Sequence, residues 1–330
     1  MPQQLAKWVW VAPWPWLLTG CHGSQSALAP AGRGAERIAE LFWWMTAGSV
    51  VIWLGVVGLA AYAIRSTAEL GSARVMRLLI VGAGFVFPTV VLAALLVIGL
   101  SMLRPLLAAP AQDALRVAVT GEQWWWRVRY FTAEGDAVDL ANEVRLPVGR
   151  VAQFELESRD VIHAFWIPSL GGKVDMIPGR QTRLRLEPTA VGAYRGTCAE
   201  YCGDSHAWMS FPVVVMEGDA FSSWLAQQAK PALASTSAES RRGGELFLEN
   251  GCGACHSVRG TDADGVIGPD LTHVGGRLSL AAGLLANETD DFVGWVARTH
   301  ELKPGVTMPA FGMLAKEDLH ALGVYLDGLR

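Results

Sequence analysis

Two long stretches without a charged side chain constrain this chain more than any other feature. Residues 41–64 run for 24 positions and residues 78–103 for 26 without Asp, Glu, Lys or Arg. A bilayer core needs about 20 apolar residues as helix, so both stretches can span one. Runs this long are poor candidates for buried helices of a soluble core. Pro88 falls inside the second, where a membrane helix tolerates it and bends. The connecting loop holds Arg65, Arg74 and Arg77 against Glu69, which places it on the cytoplasmic side. Both chain ends then lie outside, and the large C-terminal part is exported. All seven histidines (His22, His163, His206, His256, His273, His300, His320) and every carboxylate lie outside the two runs. Intramembrane haem ligation or proton relay by this chain alone is therefore not expected.

The remaining composition narrows the class. With 51% hydrophobic and 18% charged residues the chain is not disordered, and a net charge of −4 excludes a nucleic-acid binder acting by bulk charge. Residues 241–330 carry eight basic and twelve acidic groups, so that end is acidic. Five cysteines, an odd number, argue against a pure disulfide framework. The first, Cys21, follows a short Trp-rich apolar stretch and closes Leu18-Thr19-Gly20-Cys21, which resembles a bacterial lipobox. Residues 1–20 are therefore expected to be a lipoprotein-type signal peptide, with Cys21 anchored in membrane lipid and residues 21–40 exported. The alternative is a plain leader with an incidental cysteine.

Residues 113–217 show short alternating runs at Leu115–Thr120, Trp126–Phe131, Glu143–Leu146, Val151–Leu156, Thr182–Leu186 and Phe211–Met216, separated by Pro/Gly turns. That pattern predicts a β-sandwich or small barrel. Near its end stands Cys198-Ala-Glu-Tyr-Cys202-Gly-Asp-Ser-His206-Ala-Trp-Met209. Two thiols, an imidazole and a thioether within one short segment form a soft-ligand set suited to copper. The cysteines could instead form a disulfide in an exported domain. The His and Met at fixed offsets count against that, and His163 in DVIHAFWIP can supply a second imidazole. Two Cys, two His and a Met fit two coppers bridged by two thiolates.

These residues carry a resemblance. CAEYCGDSHAWM, with DVIHAFWIPSLGGKVDMIPGR and GEQWWW upstream, resembles subunit II of cytochrome c oxidase, over about residues 36–225. The resemblance implies a cupredoxin sandwich (residues 104–225) holding a dinuclear CuA centre beyond a transmembrane hairpin (41–103). Cys198 and Cys202 would bridge the coppers, and His163 and His206 would complete one each. Met209 and the Glu200 carbonyl would be weaker ligands, and the Glu200 side chain would reach a Mg²⁺ shared with subunit I. Trp124, Trp125 and Trp126 stand where the family has Trp-Tyr-Trp, an electron-transfer patch. Many relatives also carry a glutamate at the cytoplasmic start of the second membrane helix. Between Arg77 and Pro88 this chain has none.

Residues 226–240 are Ala/Ser-rich and read as a linker. Beyond them, Gly251-Cys252-Gly-Ala-Cys255-His256 is the c-type haem attachment pattern, with two thioether positions and a proximal histidine. A redox disulfide or half a zinc site is disfavoured by the adjacent His and the export. Gly268-Pro269-Asp270-Leu271 resembles the loop whose Pro carbonyl fixes the proximal imidazole in small cytochromes c. KPGVTMPAF, residues 303–311, resembles their distal loop, which names Met308 as sixth ligand and leaves Met313, the rival, in the core. A final helix over Lys316–Leu329 would bury Leu319, Leu322 and Leu326. His273, His300 and His320 read as surface residues.

The expected whole is a multidomain membrane protein: a two-helix hairpin, a β-sandwich and an all-α class I cytochrome c domain (241–330). It would be subunit II of a bacterial proton-pumping oxidase of the caa type, in the cytoplasmic membrane with both redox domains on the outer face. Electrons would pass from a soluble or membrane-bound donor, a c-type cytochrome, through haem c and CuA to subunit I, with subunit III alongside. The oxygen chemistry would belong to subunit I. The rivals are the equivalent subunit of a CuA-containing nitric oxide reductase and a copper-delivery or storage protein. A linker of about 15 residues reaches only ~20 Å, so the tethered haem domain can occupy the Trp124 patch.

Overall fold

The computed structural model describes residue 20 and residues 22–65, 72–107, 113–132, 135–233 and 237–330. Residues 1–19 of the expected leader, and Cys21, lie outside the described residues. Helix α1 spans Arg33–Arg65, starting well before the uncharged run. The second apolar run follows α2 (Ala73–Arg77) and comprises a π-helical stretch Leu78–Val86 and most of α3 (Phe87–Leu107). Pro88 has no N–H and its ring crowds the carbonyl four residues back, so the preceding turns widen. Both helices are long and apolar enough to cross a membrane, and neither apolar window is buried. Trp44 is 72% exposed and Leu92 66%, the opposite of a soluble core helix.

The β-domain consists of two five-stranded sheets. One has the order β3 (Ala137–Ala141), β2 (Trp125–Phe131), β1 (Leu115–Glu122), β5 (Ala152–Ser158), β8 (Thr182–Leu186). The other has the order β4 (Val144–Pro147), β10 (Ser210–Met216), β9 (Gly192–Cys198), β6 (His163–Trp166), β7 (Val174–Met176). Alternate residues of β1 and β2 point inward, so Val117, Val119, Trp126, Val128 and Tyr130 are all buried. Phe165 stacks on Phe211 at 4.9 Å, and Trp126 meets Phe211 edge-on at 5.2 Å. Phe165→Ala is expected to cost about 3–5 kcal/mol, read by chemical denaturation of the purified chain. The segment before α1 is tied to the same domain, with Ala31 N donating to Ser169 O at 2.7 Å and Arg33 N to Glu187 O at 2.9 Å.

Helix α4 (Gly218–Gln228) follows the last strand and runs into the predicted linker. Helix α5 (Ala238–Glu249) starts inside it, capped by Ser237, whose side chain accepts from Ser240 N. The residues around the end of α4 are pinned: Ala232 N donates to Arg259 O at 2.9 Å and Arg259 to Gln228 O at 2.6 Å. The segment is thus anchored at its first half and helical at its end. Helices α6 (Thr289–Ala297), α7 (Thr299–Leu302) and α8 (Lys316–Gly328) complete the all-α domain. Leu319, Leu322 and Leu326 are buried as the pattern predicts, together with Leu246, Phe247, Phe292 and Tyr325.

Candidate metal centres

Strands β6 and β9 pair in register, Phe165 opposite Cys198, and this sets His163 and Cys198 side by side. Gly121 of β1 faces the imidazole; a Cβ there would lie 2.7 Å from His163 Cδ2. Cys198 N donates to Met209 O at 2.9 Å, which folds the 198–209 loop back on itself. The result is a cluster of soft donors. Cys198 Sγ lies 3.8 Å from Cys202 Sγ and 3.9 Å from His163 Nδ1. Cys202 Sγ lies 3.4 Å from His206 Nδ1 and 3.8 Å from Met209 Sδ. The Cys198 thiol also reaches the Glu200 carbonyl at 3.1 Å. His163, Cys198 and Cys202 place their ligand atoms close enough for one ion to be shared among them. Both cysteines are free thiols, so the disulfide alternative is not what the structure contains.

The electrostatics suit metal capture. The hydrogen bond shared with Cys202 lowers the Cys198 thiol against burial, and His163 helps. The same sharing, with burial, raises Cys202. A thiol lowered in this way gives up its proton more readily to an approaching cation. Burial disfavours a charged His163 ring, but its bonds to Cys198 and Asp160 outweigh burial and raise it. Asp160 Oδ1 sits 2.8 Å from His163 Nε2, leaving Nδ1 toward the sulfur. The Asp160 carboxylate also accepts from Gln123 N at 2.6 Å and Val161 N at 2.7 Å. Asp160 lay inside the quoted motif, yet sequence reasoning gave it no role. The donor set is soft, buried and convergent, which fits copper.

In the all-α domain, Cys252 opens a short 3-10 turn, Cys252–Ala254, Cys255 caps its end, and His256 follows directly. His256 Nδ1 lies 2.8 Å from Pro269 O, as expected for the Gly-Pro loop. Burial lowers the His256 imidazole, opposed by that carbonyl bond, so the ring is neutral with Nε2 open to a metal. Asp270 of the same loop is held by Arg259 at 2.6 Å and by Thr272 N at 2.8 Å. Val266 is 72% exposed and Ile267 67%, an apolar rim beside His256 that a haem can cover. The two thiols, neutral imidazole and apolar rim fit a covalently bound haem.

Several expected residues fall elsewhere. Met313 is 78% exposed, not core, whereas Met308 is partly buried against the domain's hydrophobic cluster. His273 is 3% exposed rather than on the surface, and its Nε2 lies 3.0 Å from Lys230 O. His300 is exposed, and so is His320, which bonds Glu239 at 2.8 Å. The three tryptophans separate. Trp126 fills the sandwich core, and Trp125 lies under the Arg127 guanidinium at 4.6 Å. Trp124 is buried, its indole N–H donating to Cys202 O at 3.0 Å.

What covers Trp124 is the all-α domain. A Cβ at Gly305 would lie 2.5 Å from the Trp124 ring, and Val306 packs against the sandwich core. Ser205 donates to Pro304 O at 2.6 Å, and Ser210 N to Ala282 O at 3.1 Å. Leu278 N donates to Glu143 at 2.8 Å, and Arg127 to Ile267 O at 3.1 Å. The two domains thus share a seam at the copper-site loops.

Comparison with known proteins agrees with this division. Residues 131–217 match the family "Cytochrome C oxidase subunit II, periplasmic domain", and residues 240–330 match "Cytochrome c". The chain is 36% identical to cytochrome c oxidase subunit 2 of Alkalihalophilus pseudofirmus, over 66% of this chain and 62% of that protein. It is 31% identical to the Bacillus subtilis subunit 2, over 67% of this chain and 64% of that protein. The chain therefore spans somewhat less than two thirds of these relatives' length. A crystal structure of the periplasmic domain of cytochrome oxidase subunit II from Bradyrhizobium japonicum is 32% identical, covering 37% of this chain and 96% of that one, with a TM-score of 0.34. The cytochrome c domain implies haem c and the subunit II domain implies copper, and two apolar helices near the N-terminus fit a membrane subunit. This chain joins a periplasmic domain of the cytochrome c oxidase subunit II family to a cytochrome c domain.

Proposed function

We propose that the chain is the electron-transfer subunit of a bacterial haem–copper oxidase, set in the cytoplasmic membrane beside subunit I. His163, Cys198, Cys202, His206, Met209 and the Glu200 carbonyl hold a dinuclear copper centre. Cys252, Cys255, His256 and Met308 hold haem c. The Glu200 side chain is half-buried and stands ready for a Mg²⁺ at the border with subunit I. When bound, the copper pair and the haem supply the one-electron redox states. The protein supplies a dry, stiff cage. His163 and Met209 are fully buried, and Cys198 and Cys202 are 4% and 3% exposed, so little water reorganises when charge changes. Asp160 fixes the tautomer of His163, the Pro269 carbonyl fixes that of His256, and the Trp124 N–H holds the Cys202 backbone.

The observation that carries this reading is the convergence of two thiols, two imidazole Nδ1 atoms and a thioether beneath a docked cytochrome c domain. Elemental analysis of the purified chain is expected to give about two coppers per haem iron. One copper per iron, or zinc in its place, would overturn the dinuclear centre. A c-type cytochrome is the proposed donor, attracted to the acidic haem domain, and subunits I and III are the proposed partners.

A further inference from the structure

The loop that carries Met308 opens with a lysine placed as few lysines are. Lys303 is 1% exposed and, among the described residues, forms no ion pair. Its Nζ donates to Trp124 O at 2.8 Å, to Trp208 O at 2.9 Å and to Ala281 O at 2.7 Å. An ammonium has three donors and no acceptor, so these carbonyls satisfy it completely. Two of the acceptors belong to the copper domain and one to the haem domain. We propose that Lys303 is the latch that holds the haem domain closed over the copper-site face.

The surroundings support a built seat rather than an incidental contact. Gly305 takes φ +81, and its lack of a Cβ lets the loop lie on the Trp124 ring. Ser205, between Cys202 and His206, ties down Pro304 next to the lysine. The bond from Arg127 to Ile267 is exposed, whereas the bond from Lys303 to Trp124 is buried. A charge-assisted bond sealed from water is stronger than one at a wet rim. The occupant of the Trp124 face is thus the chain's own haem domain, which excludes a separate protein from that face. Burial pushes the Lys303 ammonium down, with Cys202 opposing, so an unbonded lysine here would be unfavourable.

The test uses the full-length, cofactor-loaded chain and two readouts that do not depend on electron transfer. In the first, the wild-type protein is treated with a water-soluble acetylating reagent and its peptides are weighed. Lys303 is expected to react at least about tenfold more slowly than exposed Lys230 and Lys316. In the second, hydrogen exchange is followed in Lys303→Met, where the Ser210 and Leu278 amides report the seam from its two sides. Their exchange is expected to rise by about tenfold or more, with α5 and α8 unchanged. Lys303 acetylated as fast as Lys316 would overturn the latch. So would unchanged seam protection in the variant, or loosening spread through α5 and α8, which would make the lysine a support of the haem domain's own fold. If the variant does not fold, the acetylation rates of the wild type decide the matter alone.

Discussion

Cys198→Ser is expected to abolish the dithiolate copper signal in paramagnetic resonance while leaving the c-type haem absorption intact. The thiol it removes is the hub of the cluster, within 3.9 Å of Cys202 and His163 and bonded to the Glu200 carbonyl. A serine hydroxyl is a hard, protonated ligand at neutral pH and cannot bridge two soft cations. The substitution keeps size and backbone, including the bond from residue 198 N to Met209 O, so the sandwich retains its shape. The proposed haem ligands Cys252, Cys255, His256 and Met308 include none of these residues. Retained copper signal in Cys198→Ser would show that the thiolate pair is not the ligand. Simultaneous loss of the haem bands would show that the haem domain depends on the copper site across the seam.

The parts legible in the sequence were those in which chemistry and spacing coincide on a short segment. Cys198 through Met209 and Cys252 through His256 fold locally, so their side chains converge with few long-range contacts. The final helix was equally readable, because Leu319, Leu322 and Leu326 form one stripe on α8. Strands β6 and β9 were not marked by the alternation, although they carry His163 and Cys198. β6 has only four residues, three of them buried, and β9 begins on glycine and mixes exposed with buried positions. β6 therefore shows no period of two, whereas β9 does alternate in burial but has Gly192 and Gly196 among its inward positions, which weakens its apolar signal in the sequence. The three tryptophans do not share one face, because Trp125 and Trp126 are successive residues of β2 and point opposite ways, Trp126 into the core. The apparent linker and the buried His273 share one cause. Residues 228–232 lie against Arg259 and His273, a pairing between distant segments that composition does not encode. Lys303 was hidden for the same reason, since two of its acceptors are carbonyls about a hundred residues or more upstream.

On the proposed function, electrons reach the copper site through the haem domain. Trp124, the face a separate cytochrome would need, is 5% exposed and covered by the loop around Gly305. An external donor would then meet the acidic haem domain first. Met308 is half-buried in that domain's cluster, and Thr299 donates to its carbonyl at 3.1 Å, which fixes the loop against α7. Met313 is exposed and is not among the residues packed on that cluster. Thioether ligation raises a haem's potential, so Met308→Leu lowers it, and each ~60 mV is a tenfold change in a one-electron equilibrium. The deciding measurement is stopped-flow reduction of the copper site by a basic c-type cytochrome, comparing wild type, Met308→Leu and Met313→Leu. The expected result is a rate at least about tenfold lower in Met308→Leu, with Met313→Leu at the wild-type rate and the copper spectrum unaltered in all three. An unchanged rate in Met308→Leu, with its haem spectrum perturbed, would mean that electrons enter the copper domain directly and would contradict the account.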